Sequence, residues 1–567
     1  MPAYLDFKEA KCRDCYLCLR ECPVKAIAVN NHQARIIEDR CILCGHCTLV
    51  CPQNAKVVHS ELDEVKQLLL SGRKVVASVA PSFISNFEVK NFSTFRLALG
   101  ELGFSDAEET AVGARLVTQE YRKLMETGKY RNFITSACPA ACQLIQHYYP
   151  KALQYLAPVD SPMFAHAKVL KKQYPSAEIV FIGPCIAKKK EARESKIVSN
   201  VLTFEELDLL FKENNINLGE MTSFGMGNKG EVANLAKAYP ISHGIIQSFG
   251  EMLPKGFQYM AVDGVDRCME VLDNIEDIEG MFIELNACAD ACVNGPCSVV
   301  DTPSGIRATA VVRNYVKEEV KTKGAPKEVT CNVDLTAAYP RVRSYNKPPT
   351  EKEIEAILAK TGKYKLEDEL NCGSCGYRTC REKAWAVYNG YADVDVCFPY
   401  MRQRSESMSY EILKSNPDGI ICLDSDMNFL MINGKARELL GIEGTNASLH
   451  GQPAIDYFNP SDFMMVWNTK KAINDMREFI PKTQQYVDFS ISIIGGHNIL
   501  YGVLKDVTAK ASYEEKLRKV RMETLDTTDD VIKKQMRVAQ EIASLLGETT
   551  AETKVALLKL KKTIQED

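Results

Sequence analysis

Nothing in this chain of 567 residues approaches the roughly 18 to 20 apolar residues that a membrane-spanning helix needs; Val75 to Ile84 is among the longest apolar runs, and Pro81 interrupts it. An excess of charge of one sign is also lacking. With 70 basic and 74 acidic residues the net charge is -4, which leaves no general electrostatic footprint for nucleic acid or for an anionic membrane. The opening MPAYLDFKEAKCRDC has no basic region followed by an apolar stretch, so no secretory signal is evident and the expected location is cytoplasmic. At 46% hydrophobic and 25% charged, the composition excludes a disordered or fibrous chain. The length exceeds what one core accommodates and predicts about three to five domains.

What is present in excess is cysteine, at 21 residues. In a long chain whose thiols cluster at metal-ligand spacing, metal is a better reading than disulfides. Cys12-x2-Cys15-x2-Cys18-x3-Cys22-Pro23 recurs as Cys41-x2-Cys44-x2-Cys47-x3-Cys51-Pro52. This duplication is the signature of bacterial two-cluster ferredoxins, in which the fourth cysteine of each run serves the other cluster. It assigns Cys12, Cys15, Cys18 and Cys51 to one 4Fe-4S cluster and Cys41, Cys44, Cys47 and Cys22 to a second. Zinc on the C-x2-C pairs is the alternative, disfavoured by two matched Cys-Pro endings. Residues 1–60 are therefore expected to form an α+β two-cluster ferredoxin domain that transfers electrons, with short strands near Ala26 to Val29 and Ala34 to Ile37.

Residues 61–345 read as an α/β domain. Glu61 to Ser71 has helical spacing, Lys74 to Ala80 is a buried-strand candidate, and apolar runs at Glu178 to Ile182 and Met281 to Leu285 alternate with helical stretches such as Phe204 to Glu213. That alternation predicts a partly parallel sheet. Three cysteine-bearing segments stand where strands are expected to end: Thr135-Ser136-Ala137-Cys138-Pro139, Gly183-Pro184-Cys185-Ile186-Ala187-Lys188-Lys189, and Glu284-Leu285-Asn286-Ala287-Cys288-Ala289-Asp290-Ala291-Cys292. Ligand sites in such sheets lie at the carboxyl ends of strands, and four thiolates from three loops suit one more cubane. Singly, each segment is weak, because a buried cysteine after a strand is more often a small core hydrophobe than a ligand.

Taken together and following a ferredoxin-like module, the three segments resemble the signature motifs of the FeFe hydrogenase catalytic domain. The resemblance implies an H-cluster: a 4Fe-4S cubane on Cys138, Cys185, Cys288 and Cys292, joined through Cys292 to a two-iron subsite carrying CO, cyanide and an azadithiolate bridge. It further implies that Lys188 hydrogen-bonds a cyanide ligand, a role suited to a cation, and that Ala80, Pro81 and Ser82 form the pocket segment beside the subsite. Departures matter as much. Active members usually read Thr-Ser-Cys-Cys-Pro, with the first cysteine relaying a proton to the bridging amine, and Ala137 stands in that place. Methionines of the usual motifs are replaced by Gly183 and Asn286, which implies a more polar and less filled pocket. Cys142, one helical turn after Cys138, is a substitute thiol or a core residue, and core is the expected role.

Residues 350–402 carry Cys372-x2-Cys375-x4-Cys380-x16-Cys397-x-Pro399 after a helix expected at Glu351 to Lys360. A helix from Arg381 to Tyr391 is expected to return the fourth ligand. The segment looks like the small cysteine-rich 4Fe-4S domain of corrinoid iron-sulfur proteins, and zinc stays open as the metal. The remaining cysteines, Cys142, Cys268, Cys297, Cys331 and Cys422, read as free thiols.

Residues 404–510 resemble a PAS domain, a small α+β sensor or dimerisation module. Its elements are expected as a helix Ser405 to Ser415, a strand ending at Asp424, a strand Asn428 to Ile432, a helix Lys435 to Leu440, and closing strands Gln485 to Ile493 and Asn498 to Asp506. His450 and His497 are expected to be solvated and not to bind haem or metal. Residues 511–567 repeat apolar positions at spacings of three and four, which predicts an amphipathic helical hairpin or coiled coil with a second helix from Ala551 to Ile564.

Three functions follow from the resemblance. The first is a sensory FeFe hydrogenase with slow, reversible H2 oxidation and proton reduction, reporting through the PAS domain and tail to a signalling protein, as a homodimer. A catalytic hydrogenase that exchanges electrons with a redox partner such as ferredoxin is the second. The third is a non-catalytic iron-sulfur protein without the two-iron subsite. Ala137, Lys188 and Cys292 are the positions implied at the reacting centre, with H2 and protons as substrates and no nucleic acid or membrane as partner.

Overall fold

The computed structural model describes residues 4–8, 11–13, 15–30, 33–221, 234–299, 305–323, 333–342, 348–494, 499–546, 555–556 and 558–559. They form two compact units, Met1–Tyr400 and Met401–Asp567.

In the first unit the duplicated cysteine motif folds into two similar halves. Each C-x2-C loop turns into a one-turn helix, Leu17–Arg20 or His46–Leu49, from a left-handed residue, Tyr16 (φ 57°) or Gly45 (φ 76°). The strands Ile27–Asn30 and Gln33–Ile36 pair as an antiparallel hairpin, and Leu5–Phe7 pairs with Lys56–Val58.

The central region contains two separate parallel sheets, where the sequence predicts one partly parallel sheet. Strand Val75–Val79 lies between Asp106–Glu109 and Glu178–Gly183, with Asn200–Thr203 beyond the latter; all four are parallel. The second sheet joins Gln258–Asp263, Met281–Asn286 and the short Phe133–Ile134, again all parallel. All five residues of Val75–Val79 are buried, as expected of a central parallel strand covered on both faces. The second sheet packs through aromatic rings: Phe133 stacks on its cross-strand partner Phe282 at 5.6 Å, and Tyr121 of the helix Ala111–Glu126 meets Phe133 edge to face at 5.4 Å, all three fully buried. Each such ring contributes about 1.5–3 kcal/mol by leaving water.

Boundaries expected from sequence hold closely at Leu62–Leu70, at Phe204–Glu213 with its Thr203/Glu206 capping box, and at Glu351–Ala359. The helix expected at Arg381 to Tyr391 begins on Cys380 and stops at Tyr388, because Thr379 caps its first turn and Gly390 (φ 70°) reverses the chain. The helix expected at Ser405 starts earlier, at Phe398, directly after Cys397.

The second unit is a five-stranded antiparallel sheet ordered Phe429–Ile432, Gly419–Leu423, Ile499–Asp506, Gln485–Ile494, Ile473–Ile480. The edge strand Ile473–Ile480 and the helix Ser461–Thr469 escape the sequence reading, since the strand is mostly exposed and carries no clean alternation. A single 39-residue helix, Thr508–Leu546, follows the sheet. The second tail helix expected at 551–564 lies largely outside the described residues, as do His497 and Cys331. His450 is exposed. Among the described residues no helix is long and apolar enough to cross a membrane.

Candidate metal centres

Four segments leave the carboxyl ends of strands in the two parallel sheets and meet. Val79 leads into Ala80, Pro81 and Ser82, and Gly183 leads into Pro184 and Cys185; from the other sheet Ile134 leads to Ala137 and Cys138, and Asn286 to Cys288 and Cys292. Together they enclose a cavity of about 100 Å³ lined by all four cysteines, by Ala80, Pro81, Ser82, Ala137 and Lys188, and by Leu43 and Cys44 of the ferredoxin-like loop. The Cys44 contribution escapes sequence reasoning, because spacing within one motif says nothing of which domain it faces. Its cause is visible at Gly45: a Cβ there would come within 2.4 Å of Pro296, so only glycine lets this loop close on the turn after Cys292.

Burial, reinforced by neighbouring thiols, pushes Cys185 up to about 11 and also raises Cys288 and Cys292. Thiols so placed ionise when a cationic metal binds them, and their convergence fits a metal cluster.

The three adjacent lysines after Cys185 go to different places. Lys188 lines the cavity and donates to Glu191 Oε2 at 2.6 Å. Burial pulls its pKa down, but Glu191, Cys185 and Cys138 outweigh burial and hold it above the ordinary value, so it stays cationic. Lys189, fully buried, turns the other way, to both carboxylate oxygens of Glu206 at 3.0 Å and to Val201 O at 3.1 Å. Lys190 donates to Gln143 Oε1 at 2.8 Å.

The pocket combines apolar walls with a few polar groups. Its walls are chiefly apolar, with Met163 and Phe181 among them, and a Cβ on Gly183 would sit 2.8 Å from the Phe181 ring, which occupies the space a larger residue would need. Asn286, with Ser82, Thr110 and Lys188, is one of the pocket's polar groups. Its amide donates to Asp263 Oδ1 at 3.0 Å and to Glu284 Oε1 at 3.3 Å, and Glu284 Oε2 accepts from Ile245 N at 3.0 Å and Ile246 N at 3.1 Å. Burial, with Asp263 nearby, pushes Glu284 up to about 8 despite those bonds. Cys142 is a core residue, buried with its Sγ 3.5 Å from Ser136 O, and is not among the lining residues.

The other cysteine sets are also brought together. Cys12, Cys15, Cys18 and Cys51 ring a cavity of about 20 Å³. Cys22, Cys41, Cys44 and Cys47 lie within mutual electrostatic reach, and burial pushes Cys41 up to about 11 and Cys44 up to about 12. The duplication extends to hydrogen bonds, since Cys22 Sγ accepts from Ala26 N at 3.3 Å and Cys51 Sγ from Ala55 N at 3.4 Å. Cys372, Cys375, Cys380 and Cys397 ring a cavity of about 30 Å³, and Lys363 Nζ donates to Cys397 Sγ at 3.5 Å. Among the described residues no three His, Cys, Asp or Glu side chains close on a single ion. Cys268 and Cys297 are buried and Cys422 is half-buried, all three free.

Comparison with known proteins agrees with this geometry. Residues 73–296 match the iron only hydrogenase large subunit, C-terminal domain; residues 11–55 match the 4Fe-4S dicluster domain, 368–399 a putative Fe-S cluster family, and 407–474 the PAS domain. The NADP-reducing hydrogenase subunit HndD of Solidesulfovibrio fructosivorans is 26% identical over 226 residues, 34% of this chain and 39% of that protein. The periplasmic [Fe] hydrogenase large subunit of Nitratidesulfovibrio vulgaris is 24% identical over 359 residues, 52% of this chain and 85% of the relative. The chain thus spans well under half the length of the first relative. The solved [FeFe]-hydrogenase HydA1 from Chlamydomonas reinhardtii aligns over 50% of this chain and all of its own, at 16% identity and a TM-score of 0.39. On the family matches, the chain carries a domain of the FeFe hydrogenase family at 73–296, set among a 4Fe-4S dicluster domain, an Fe-S domain and a PAS domain.

Proposed function

We propose that this protein is an H2-responsive FeFe hydrogenase of sensory type, slow in turnover, whose PAS domain and tail report the state of the metal site to a signalling partner. The observation that carries the reading is the size and lining of the central cavity. About 100 Å³ ringed by four cysteines, against about 20 and 30 Å³ for the two smaller cysteine-ringed cavities, leaves room for more than a cubane. This counts against a non-catalytic protein without a two-iron subsite.

Cys138, Cys185, Cys288 and Cys292 would hold the cubane, with Cys292 also joining the two-iron subsite with its CO, cyanide and azadithiolate ligands. That group, when bound, supplies an open iron position that acts as a Lewis acid toward H2 and a store for the electrons. The chain supplies the surroundings. Lys188, kept cationic by Glu191, offers a charge-assisted donor to an anionic ligand. Ala80, Pro81, Met163 and Phe181 exclude water, and Ser82, buried with its Oγ lacking a partner among the described residues, is a donor available to the group. The Ala137 methyl neither takes nor gives a proton, so the route for protons out of the cavity lacks the acid-base step that cysteine would provide. Electrons leave beside Cys44, which borders the same cavity.

A catalytic hydrogenase serving a redox partner is the second reading, favoured by that same Cys44 contact. Infrared spectra of the maturated protein under H2 and under CO test the proposal. Bands of metal-bound CO and cyanide that shift under H2 are expected, together with slow turnover; their absence refutes the two-iron subsite, and fast turnover selects the catalytic reading.

A further inference from the structure

The cysteine set at 372–397 is embedded in the ferredoxin-like segment. Tyr377, Ala386 and Ala392 share one apolar core with Leu19, Ile27 and Val29. Two hydrogen bonds reinforce it: Val29 N donates to Tyr391 O at 3.2 Å, and the Arg35 side chain donates from Nη2 to Gly390 O at 3.0 Å. The Arg40 guanidinium lies 5.0 Å from the centroid of the Trp385 ring. Residues next to two of the cysteines also make contact. Gly376, next to Cys375, packs so tightly on the helix after Cys15 that a Cβ would fall 3.1 Å from both Arg20 N and Leu19 Cγ. Phe398, next to Cys397, meets Tyr16 edge to face at 5.8 Å.

Tyr377 lies within electrostatic reach of both Cys375 and Cys22. It is 3% exposed, and its hydroxyl has no hydrogen-bond partner among the described residues. A buried phenol is rarely left unpaired, and a sulfur of an adjacent cluster would accept its proton. Cys22 in turn sits with Cys44, which borders the central cavity.

We propose that the 372–397 centre is the electron-accepting branch of this protein, filled from the cluster of Cys22, Cys41, Cys44 and Cys47 across Tyr377, and that Lys363 and the buried Lys383 favour its reduced form. In each transfer one cubane loses an electron as the other gains it, and no bond is made or broken. Two ammonium groups stabilise the added negative charge, Lys363 by its bond to Cys397 Sγ and Lys383 from a buried position whose Nζ donates to Val394 O at 2.6 Å. The source of electrons, H2, rests on the function proposed above; the wiring does not.

The test is electron paramagnetic resonance of the full-length protein with its clusters in place, reduced with dithionite, alongside Cys397→Ser, Gly376→Val and Lys363→Gln. Magnetic interaction between neighbouring reduced cubanes is expected to broaden the wild-type signals. Cys397→Ser should sharpen those of the remaining clusters. Gly376→Val should weaken the interaction, compared only between samples of equal iron content, and Lys363→Gln should lower the midpoint potential of one centre only. A wild-type spectrum equal to that of Cys397→Ser plus one isolated cubane signal overturns the proposal, as does unchanged iron with an unchanged spectrum in Cys397→Ser, which would mean zinc. Infrared bands from the same samples report separately on the two-iron subsite, so failure of one reading is not mistaken for failure of the other.

Discussion

Within residues 11–55 eight thiols are placed by two short loops, each with an N–H to sulfur bond four residues on, whereas the four thiols of the large cavity come from strand ends in two separate sheets, between Cys138 and Cys292. A loop of the first kind is shaped by its own turns and depends little on distant residues. The second kind exists only while two sheets keep their mutual position, so residues far from any ligand control it. Mutations remote from the thiols are therefore expected to damage the central site while leaving the ferredoxin-like clusters loaded.

The largest effect is expected from pH acting on Glu284. Its carboxyl stays protonated in the fold up to about 8 but ionises near 4.5 in the unfolded chain. The unfolded state therefore binds fewer protons across that window, and stability present below pH 4.5 is lost as pH rises toward 8, on the order of 5 kcal/mol. Melting curves at pH 5 and pH 8 should fall further apart for the wild type than for Glu284→Gln; equal spacing would contradict the assigned burial effect.

Close behind stands Lys189→Met. Removing one partner of the buried Lys189–Glu206 pair leaves a buried charge without compensation, a loss of about 3–5 kcal/mol. Iron should be lost first from the central site, because this pair anchors the helix that follows Cys185. Parallel loss of all clusters would dissolve the contrast between the two kinds of site.

Ala137→Cys is expected to speed H2 oxidation and evolution by up to about 10²-fold, the low end of what general acid-base catalysis supplies. An unchanged rate in a fully maturated variant would mean that protons leave by another route, with the Lys188–Glu191 pair at the cavity wall a titratable alternative. The smallest effect belongs to Cys142→Ala, expected to cost about 1 kcal/mol in denaturant unfolding, with unchanged infrared bands and rate. A fall in rate would return Cys142 to the proton path despite its place in the core.

The duplicated C-x2-C-x2-C-x3-C-P runs, the three cysteine-bearing strand ends and the Cys372 to Cys397 spacing are local patterns, and such patterns are legible because ligand geometry constrains residues a few positions apart. The strand and helix assignments that held, such as Val75–Val79 and Phe204–Glu213, rest on buried hydrophobic runs and capping residues of the same local kind. Sequence left open which of three consecutive lysines faces the cavity, since a helix turns about 100° per residue and the answer depends on where Glu191, Glu206 and Gln143 stand. Nor did spacing indicate that Phe181 would occupy the room beside Gly183, that Glu284 would be buried against Asn286, or that the 372–397 segment would share a core with Leu19 and Val29. The first two join residues only two positions apart whose burial depends on what the rest of the fold packs over them, and the third joins residues hundreds of positions apart. They were decided by the packing of the two sheets and the ferredoxin-like core, where close-packed side chains admit few arrangements and no single segment carries the information.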